Sequence, residues 1–422
     1  MFPKFRIIRQ IHQTEKLDNI KETVEKAVSS INYDLIDLKG KTVGIAVGSR
    51  GISNICEIVK STVDIVKKSG GNPVVFAAMG SHGGGTAQGQ KEVLASLGIT
   101  EETIGCKIET CAESILYGTT ENDMPVYGNP LPLEFDRVIL INRIKQHTDF
   151  EDITESGILK LMAIGIGNPT GARTIHSNAL RIGYGAAIRD AGQLILKKLP
   201  VAFAVAITEN WKHETSKIEA TLPCDLLDTE IRLLAEVKEK AVRLPADVLD
   251  SLIVLEAGKN ISGTCIDTKV AGRIMIAGQK EPEKPKIKTI AALSFTEESH
   301  GNAMGLGIAD VITKRAYDNI DITATSLTGI TSSCLLQSKI PCVAPDDYMA
   351  FDVAFTASGI KNPADSKAVI IKNTNALEYM AVSEKLYEEI KDRPNIETLT
   401  PFFDLTFDES KVLDTEEIKK YL

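Results

Sequence analysis

Three short apolar runs, each opening into a loop rich in glycine and polar residues, constrain this chain more than any other feature. Thr42 to Val47 (TVGIAV) leads into Gly48-Ser49-Arg50-Gly51, and Val74 to Ala78 leads into Met79-Gly80-Ser81-His82-Gly83-Gly84-Gly85-Thr86. Val138 to Ile141 leads into Asn142-Arg143-Ile144-Lys145-Gln146-His147. Short apolar runs with a β-branched bias read as strands buried on both faces. Between the first two, Ile55, Ile58, Val59, Val63 and Val66 recur at helical spacing, and another helical pattern spans about residues 87 to 97. Strands alternating with helices predict a parallel sheet covered by helices. Ligands of such sheets bind beyond the carboxyl ends of the strands. Arg50, His82 and His147 all fall there, although the chain has only six histidines.

The pattern continues along the chain. Leu17, Ile20, Val24, Ala27, Val28 and Ile31 predict an opening amphipathic helix. Residues 201 to 208 and 250 to 255 read as strands, with a helix over about 225 to 240. The run Gln279-Lys280-Glu281-Pro282-Glu283-Lys284-Pro285-Lys286 is charged and carries two prolines, which marks it as a linker. After it come a strand at about 288 to 294, a helical stretch near 302 to 316 and a strand at Ala368 to Ile371. The expected architecture is two α/β domains with parallel-rich sheets, residues 1–280 and 287–422, and an active-site cleft between them.

Composition narrows the function classes. A net charge of −9 without a basic block argues against nucleic acid as a partner. The seven cysteines are scattered, odd in number and without a CxxC pair, so neither a disulfide framework nor a zinc ribbon is expected. The apolar stretch in MFPKFRIIRQ is too short for a signal peptide, and no apolar run reaches the ~18 residues of a membrane span. A cytoplasmic protein is expected.

Residues 145 to 176 concentrate the chemistry: His147, Lys160 behind Glu155-Ser156-Gly157, the run Gly165-Ile166-Gly167-Asn168-Pro169-Thr170-Gly171, and His176 in a helix that starts near Ala172. The glycine run could cradle a phosphate on backbone amides, but it matches neither GxGxxG nor the P-loop. His82 in SHGGGT is either a general base beside an anion site or a solvated histidine in a glycine turn, with Thr86 as a cap for the next helix. Arg50 could hold a carboxylate with its planar fork, or be a surface arginine. Glu155 and Asp152 could orient a histidine or bind a cation, or form a solvated acidic loop. Thr296 to Asn302 has the polarity of a site or merely of a loop. Lys259 to Thr264 follows a strand near the expected domain boundary. His12 and His213 have no company that suggests a role.

The order SR, SHGGGT, NRIKQHTDF, ESGILKLMAIGIG and then His176 resembles the nickel-pincer lactate racemase family, over roughly residues 40 to 180. The resemblance implies an isomerase that racemises or epimerises a 2-hydroxy acid by reversible hydride transfer to a nickel-pincer nucleotide (pyridinium-3,5-bisthiocarboxylic acid mononucleotide nickel). It implies covalent attachment of that cofactor to Lys160, with His176 as the metal ligand. It implies His82 and His147 as acid and base on opposite faces of the substrate, and Arg50 on the substrate carboxylate. The family's further substrate-binding lysine corresponds to Lys259 or Lys269. Cofactor-biosynthesis proteins are implied as maturation partners. The run Val47-Gly48-Ser49-Arg50-Gly51 departs from the family pattern around the substrate, so a 2-hydroxy acid other than lactate is expected.

Two other readings fit the residues. One is a two-domain α/β enzyme that binds a phosphorylated or nucleotide ligand without nickel, with Lys160 as an electrostatic clamp. The other is a non-catalytic binder of a metal or metabolite.

Overall fold

The computed structural model describes residues 2–31, 36–49 and 51–422. The chain divides into two compact units, Thr14–Ala241 and a second made of Met1–Gln13 together with Val242–Leu422. The expected boundary at 279 to 286 is therefore corrected. That segment joins two neighbouring parallel strands of one sheet, and the division falls instead at 241/242. The N-terminal strand β1 (Phe5–Gln10) also belongs with the C-terminal residues.

In the unit 14–241 the strands are β2 (Thr42–Val47), β3 (Asn72–Ala77), β4 (Lys107–Glu109), the hairpin β5 (Ile115–Thr119) and β6 (Pro125–Gly128), β7 (Arg137–Arg143), β8 (Val201–Glu209) and β9 (Thr215–Thr221). Its helices are α1 (Ile20–Ser30), α2 (Ile55–Lys68), α3 (Ala87–Ser96), α4 (Glu101–Ile104), α5 (Ile158–Lys160), α6 (Asn168–Ile182), α7 (Tyr184–Lys198) and α8 (Leu226–Lys240). A π-helical turn, Leu161–Ile166, follows α5.

The main sheet has the order β4-β3-β2-β7-β8-β9, parallel except for β9. Val43, Ile45 and Val47 of β2 pack with α1 and α2 on one face, while Ala46 packs on the other with Phe76, Leu140 and the helices that follow β7. Burial on both faces explains why these strands read as unbroken apolar runs. The chain runs outward from β2 through β3 to β4, then crosses to β7 on the other side of β2. The point where strand order reverses therefore lies between β2 and β7, and this is where ligands of open α/β sheets bind.

The other unit holds β1, β10 (Val248–Val254), β11 (Lys286–Ala292), β12 (Val311–Thr313), β13 (Cys342–Ala344), β14 (Ala368–Ile371), β15 (Tyr379–Ser383) and β16 (Ile396–Thr398). They form one sheet in the order β13-β12-β11-β10-β14-β15-β1-β16. Strands β10 to β14 are parallel, and β15, β1 and β16 extend the sheet antiparallel. The helix expected near 302 to 316 is replaced by the buried strand β12 and the short helix that follows it, Lys314–Asp318. Its apolar residues fill a parallel sheet position rather than a helix face. Among the described residues no helix is long and apolar enough to cross a membrane.

Strand β1 buries Ile7 and Ile8 completely, each in a different core cluster of this unit. Ile8→Ala is expected to cost about 2–5 kcal/mol of stability, read by chemical denaturation. The loss should appear in the transition that unfolds residues 242–422, not in that of residues 14–241.

Candidate functional site

The loop after β2 carries Ser49, whose Oγ shares a hydrogen bond with His82 Nδ1 from the loop after β3. Arg50 lies outside the described residues. The same loop is anchored further on, where Ser53 N–H donates to Glu209 Oε1 at 2.8 Å and Glu209 pairs with Arg143. Gly83, Gly84 and Gly85 all have positive φ. The Thr86 hydroxyl accepts the Gly89 N–H at 3.0 Å, so Thr86 caps α3 as the sequence predicts.

The loop after β7 is closed by a bridge in which Lys145 N–H donates to Ser156 O and Ser156 N–H donates to Lys145 O. Inside it the fully buried Glu155 carboxylate accepts His147 N–H at 2.6 Å and Asp152 N–H at 3.3 Å. Lys238 of α8 pairs with Glu155 at 2.6 Å, and Arg189 pairs with Asp152. The two acids thus order the histidine loop, and protein cations already meet both carboxylates. The His147 Nδ1 accepts Asp149 N–H at 3.1 Å. An accepting Nδ1 carries no proton, so the neutral ring keeps its proton on Nε2. The Asp149 carboxylate stands 3.9 Å from the same nitrogen, the acceptor within reach once the ring is protonated.

Lys160 ends α5 and enters the π-helical turn. Such turns are rare and frequent at functional sites. The residue's helix begins against Glu230 of α8, which is fully buried. One oxygen of Glu230 accepts Leu159 N–H at 3.0 Å, and Ile158 N–H also bonds to the carboxylate. Oε1 has no partner among the described residues. Only glycine fits at 157, because a Cβ there would lie 2.4 Å from the Glu230 carboxyl carbon. Burial pushes the Glu230 carboxyl up to about 7.

The glycine run does not form a loop. Gly165 lies within the π-helical turn and Gly171 within α6, where its N–H donates to Gly167 O. The expected phosphate cradle at 165 to 171 is therefore corrected, since helical and tertiary packing take up that backbone. Asn168, buried and at φ 54°, donates to the carbonyls of Cys111 and Glu113 and accepts from Gln90 Nε2. The helix holding His176 thus starts at Asn168, earlier than expected.

His176 has a buried Nδ1 with no hydrogen-bond partner among the described residues. Burial, and then the nearby Lys160 charge, push its pKa down, while Asp149 opposes them. An aromatic series links the two histidines. His147 stacks on Phe150 at 4.6 Å, Phe150 on Tyr184 at 5.5 Å, and Tyr184 meets His176 edge-on at 5.9 Å. The series ties His147 to His176, Lys160 lies close enough for its charge to act on His176, and His82 joins Ser49 on the far side of β2.

Lys259 and Lys269 belong to the other unit. Lys259 N–H donates to Ser299 Oγ at 2.8 Å and its Nζ to Gly263 O at 2.5 Å, while Lys269 lies in the short helix Thr268–Ala271. The Thr296 to Asn302 segment is tied to the Lys259 loop, with Thr296 Oγ1 donating to Asn260 Oδ1 at 2.7 Å. His213 is exposed in the turn between β8 and β9. Sequence reasoning missed Glu230, Lys238, Phe150 and Tyr184. A signal existed for Glu230: it falls with Leu226, Leu233 and Leu234 on the apolar face of α8.

No protein-family model and no curated protein matches the sequence. Among solved structures, the lactate racemase apoprotein from Thermoanaerobacterium thermosaccharolyticum is similar, with 13% identity, 87% of this chain and 94% of that one covered, and a TM-score of 0.55. A protein from Thermotoga maritima aligns with 16% identity over 65% of this chain and 69% of its own, at a TM-score of 0.47. The first of these likenesses establishes a fold of the lactate-racemase kind: mixed α/β with parallel-rich sheets.

Two outcomes test the site's electrostatics. A carboxyl raised from the ordinary 4.5 to about 7 stabilises fully below pH 4.5 and loses that contribution as pH rises through 7. At about 1.4 kcal/mol per pH unit, the wild type should lose roughly 3 kcal/mol relative to Glu230→Gln across that window, measured by denaturant titrations at several pH values. Nitrogen-15 NMR of the neutral chain should find His147 as the Nε2–H tautomer. A predominant Nδ1–H form would contradict the bond from Asp149.

Proposed function

We propose that this protein is a racemase or epimerase of a 2-hydroxy acid that works with a nickel-pincer nucleotide tethered to Lys160. The observation that carries the reading is His176. Its Nδ1 is buried and without a hydrogen-bond partner among the described residues, and its surroundings disfavour a proton. An imidazole kept neutral in this way is a metal donor, whereas an imidazolium is not. Among the described residues no group of three or more His, Cys, Asp and Glu is arranged to hold a metal ion. A metal at His176 would take its remaining donors from the bound group, and soft sulfur and carbon donors beside one imidazole suit nickel. Lys160, close enough for its charge to reach His176, is the amine that would hold the group covalently.

When bound, the group would supply an acceptor for the hydride of the 2-carbon, which no imidazole can remove as a proton. The remaining work belongs to side chains of this chain. Racemisation needs proton-handling groups on two sides of one carbon, and β3 and β7, which carry His82 and His147, flank β2. Neutral His147 donates from Nε2, and its protonated form has the Asp149 carboxylate within reach. Ser49 holds the His82 ring through Nδ1. Arg50 is the proposed holder of the substrate carboxylate, with Lys259 or Lys269 as the further substrate-binding lysine. The Ser49–His82 pairing lies where the sequence departs from the lactate enzymes, in keeping with a substrate other than lactate.

The test is co-expression with cofactor-biosynthesis proteins, followed by intact mass, nickel analysis and chiral assay of a panel of 2-hydroxy acids. Wild type is expected to carry a mass adduct on Lys160 and about one nickel per chain. Lys160→Ala should lack the adduct, and His176→Ala should keep it while losing most of the nickel. Wild type without nickel and with unmodified Lys160 would refute the reading.

A further inference from the structure

We propose that α8 is the brace of this site, with Glu230 and Lys238 as positioning residues: Glu230 fixes the backbone that leads into Lys160, and Lys238, through Glu155, fixes the backbone of His147. This role rests on the reading of Lys160 and His147 as the reactive groups.

Both contacts land on one short segment. Glu155, which accepts the His147 N–H, and Leu159, which donates to Glu230, lie at the two ends of residues 155–159. Helix α8 grasps one end with a cation and the other with a carboxylate. Gly157, between them, leaves no room for a Cβ against Glu230. The Lys238 Nζ also donates to Asp152 O at 2.8 Å, so the same ammonium gathers two points of the histidine loop.

Ordinary capping does not require this arrangement. Exposed Asp, Ser or Thr would cap a helix without the desolvation of a buried carboxylate. Glu155 and Glu230 are both fully buried, and each gives one oxygen to a backbone N–H at or next to a reactive residue, Glu155 to His147 and Glu230 to Leu159. A buried carboxyl group adds little net stability, but it accepts only one placement of its partner. That is what a site needs when its side chains must be held to within about 0.5 Å.

The test uses the full-length chain without cofactor and two readouts resolved by peptide mass. One is deuterium exchange at the C2 position of each histidine, and the other is the competitive acetylation rate of Lys160. Lys238→Met keeps the aliphatic stem and removes the charge. It should change His147 exchange by at least about three-fold, roughly half a pKa unit, and leave His12 and His213 at wild-type rates. Glu230→Gln should shift Lys160 acetylation by a similar factor without moving His12 or His213, and Glu230→Asp, which keeps the carboxylate, should shift it less. Folded variants in which both His147 and Lys160 keep wild-type rates would overturn the role of α8. If the Glu230 variants do not fold, Lys238→Met decides: a wild-type His147 rate overturns the brace and a changed one supports it. Nickel has no part in these measurements, so failure here and failure of the pincer reading are distinguishable.

Discussion

The close approach of the π-helical turn to the strand ends is the constraint on which the rest of this site depends. Gly80 N–H donates to Gly165 O at 3.0 Å, and a Cβ on Gly165 would lie 2.6 Å from Ala78 O. Only a glycine at 165 allows the turn to sit this low on β3. That placement lays the segment carrying Lys160 over the sheet where strand order reverses. It also lets α6 continue from the same anchor, so His176 returns to the neighbourhood of Lys160. A larger residue at 165 would lift the turn and separate the two.

Much of this was legible in the sequence, for a physical reason. Strands buried on both faces cannot alternate polar and apolar residues, so β2, β3, β7 and β14 stand out as short apolar runs. Their loops must then lie at the carboxyl ends, which is enough to group Arg50, His82 and His147 without coordinates. What the sequence concealed is of two kinds. Strand β1 pairs with β15 and β16, at least 370 residues away, and no local pattern encodes a partner at that distance. The segment 279 to 286 has a linker's composition because its charged residues are exposed while Pro282 and Pro285 are buried. Composition cannot distinguish a connection between domains from a crossover within one.

The glycine run shows the second kind of concealment. Gly165, Gly167 and Gly171 look like a flexible loop because glycine is weak in helices. Here small size matters more than freedom, and the run packs as a helix against the strand end. Asn168 is equally ambiguous as a letter, since its left-handed backbone and three side-chain hydrogen bonds arise only from the tertiary structure. Glu230 differs in kind. A charge on the apolar stripe of α8 is visible as a violation of the pattern, and such violations are where functional demands tend to override local preference. The segment that Glu230 grips, Glu155-Ser156-Gly157, was already conspicuous, but nothing in the sequence joins the two.

The electrostatics of the two buried groups have one cause and opposite signs. Burial disfavours charge on both, raising the Glu230 carboxyl and lowering the His176 imidazolium. Lys160 then adds to the effect on His176, because a cation nearby makes a second cation costlier. The region around Lys160 thus rejects a bare proton at His176 while leaving the nitrogen lone pair in place. A metal whose charge is offset by anionic sulfur donors would meet much less of that penalty than a proton does. On the proposed function, the same burial that makes His176 a poor base would suit it to a metal, and acid–base work would fall to His147 and His82, whose Nδ1 atoms are held by Asp149 and Ser49. The division of labour proposed for the three imidazoles rests on what each ring nitrogen touches.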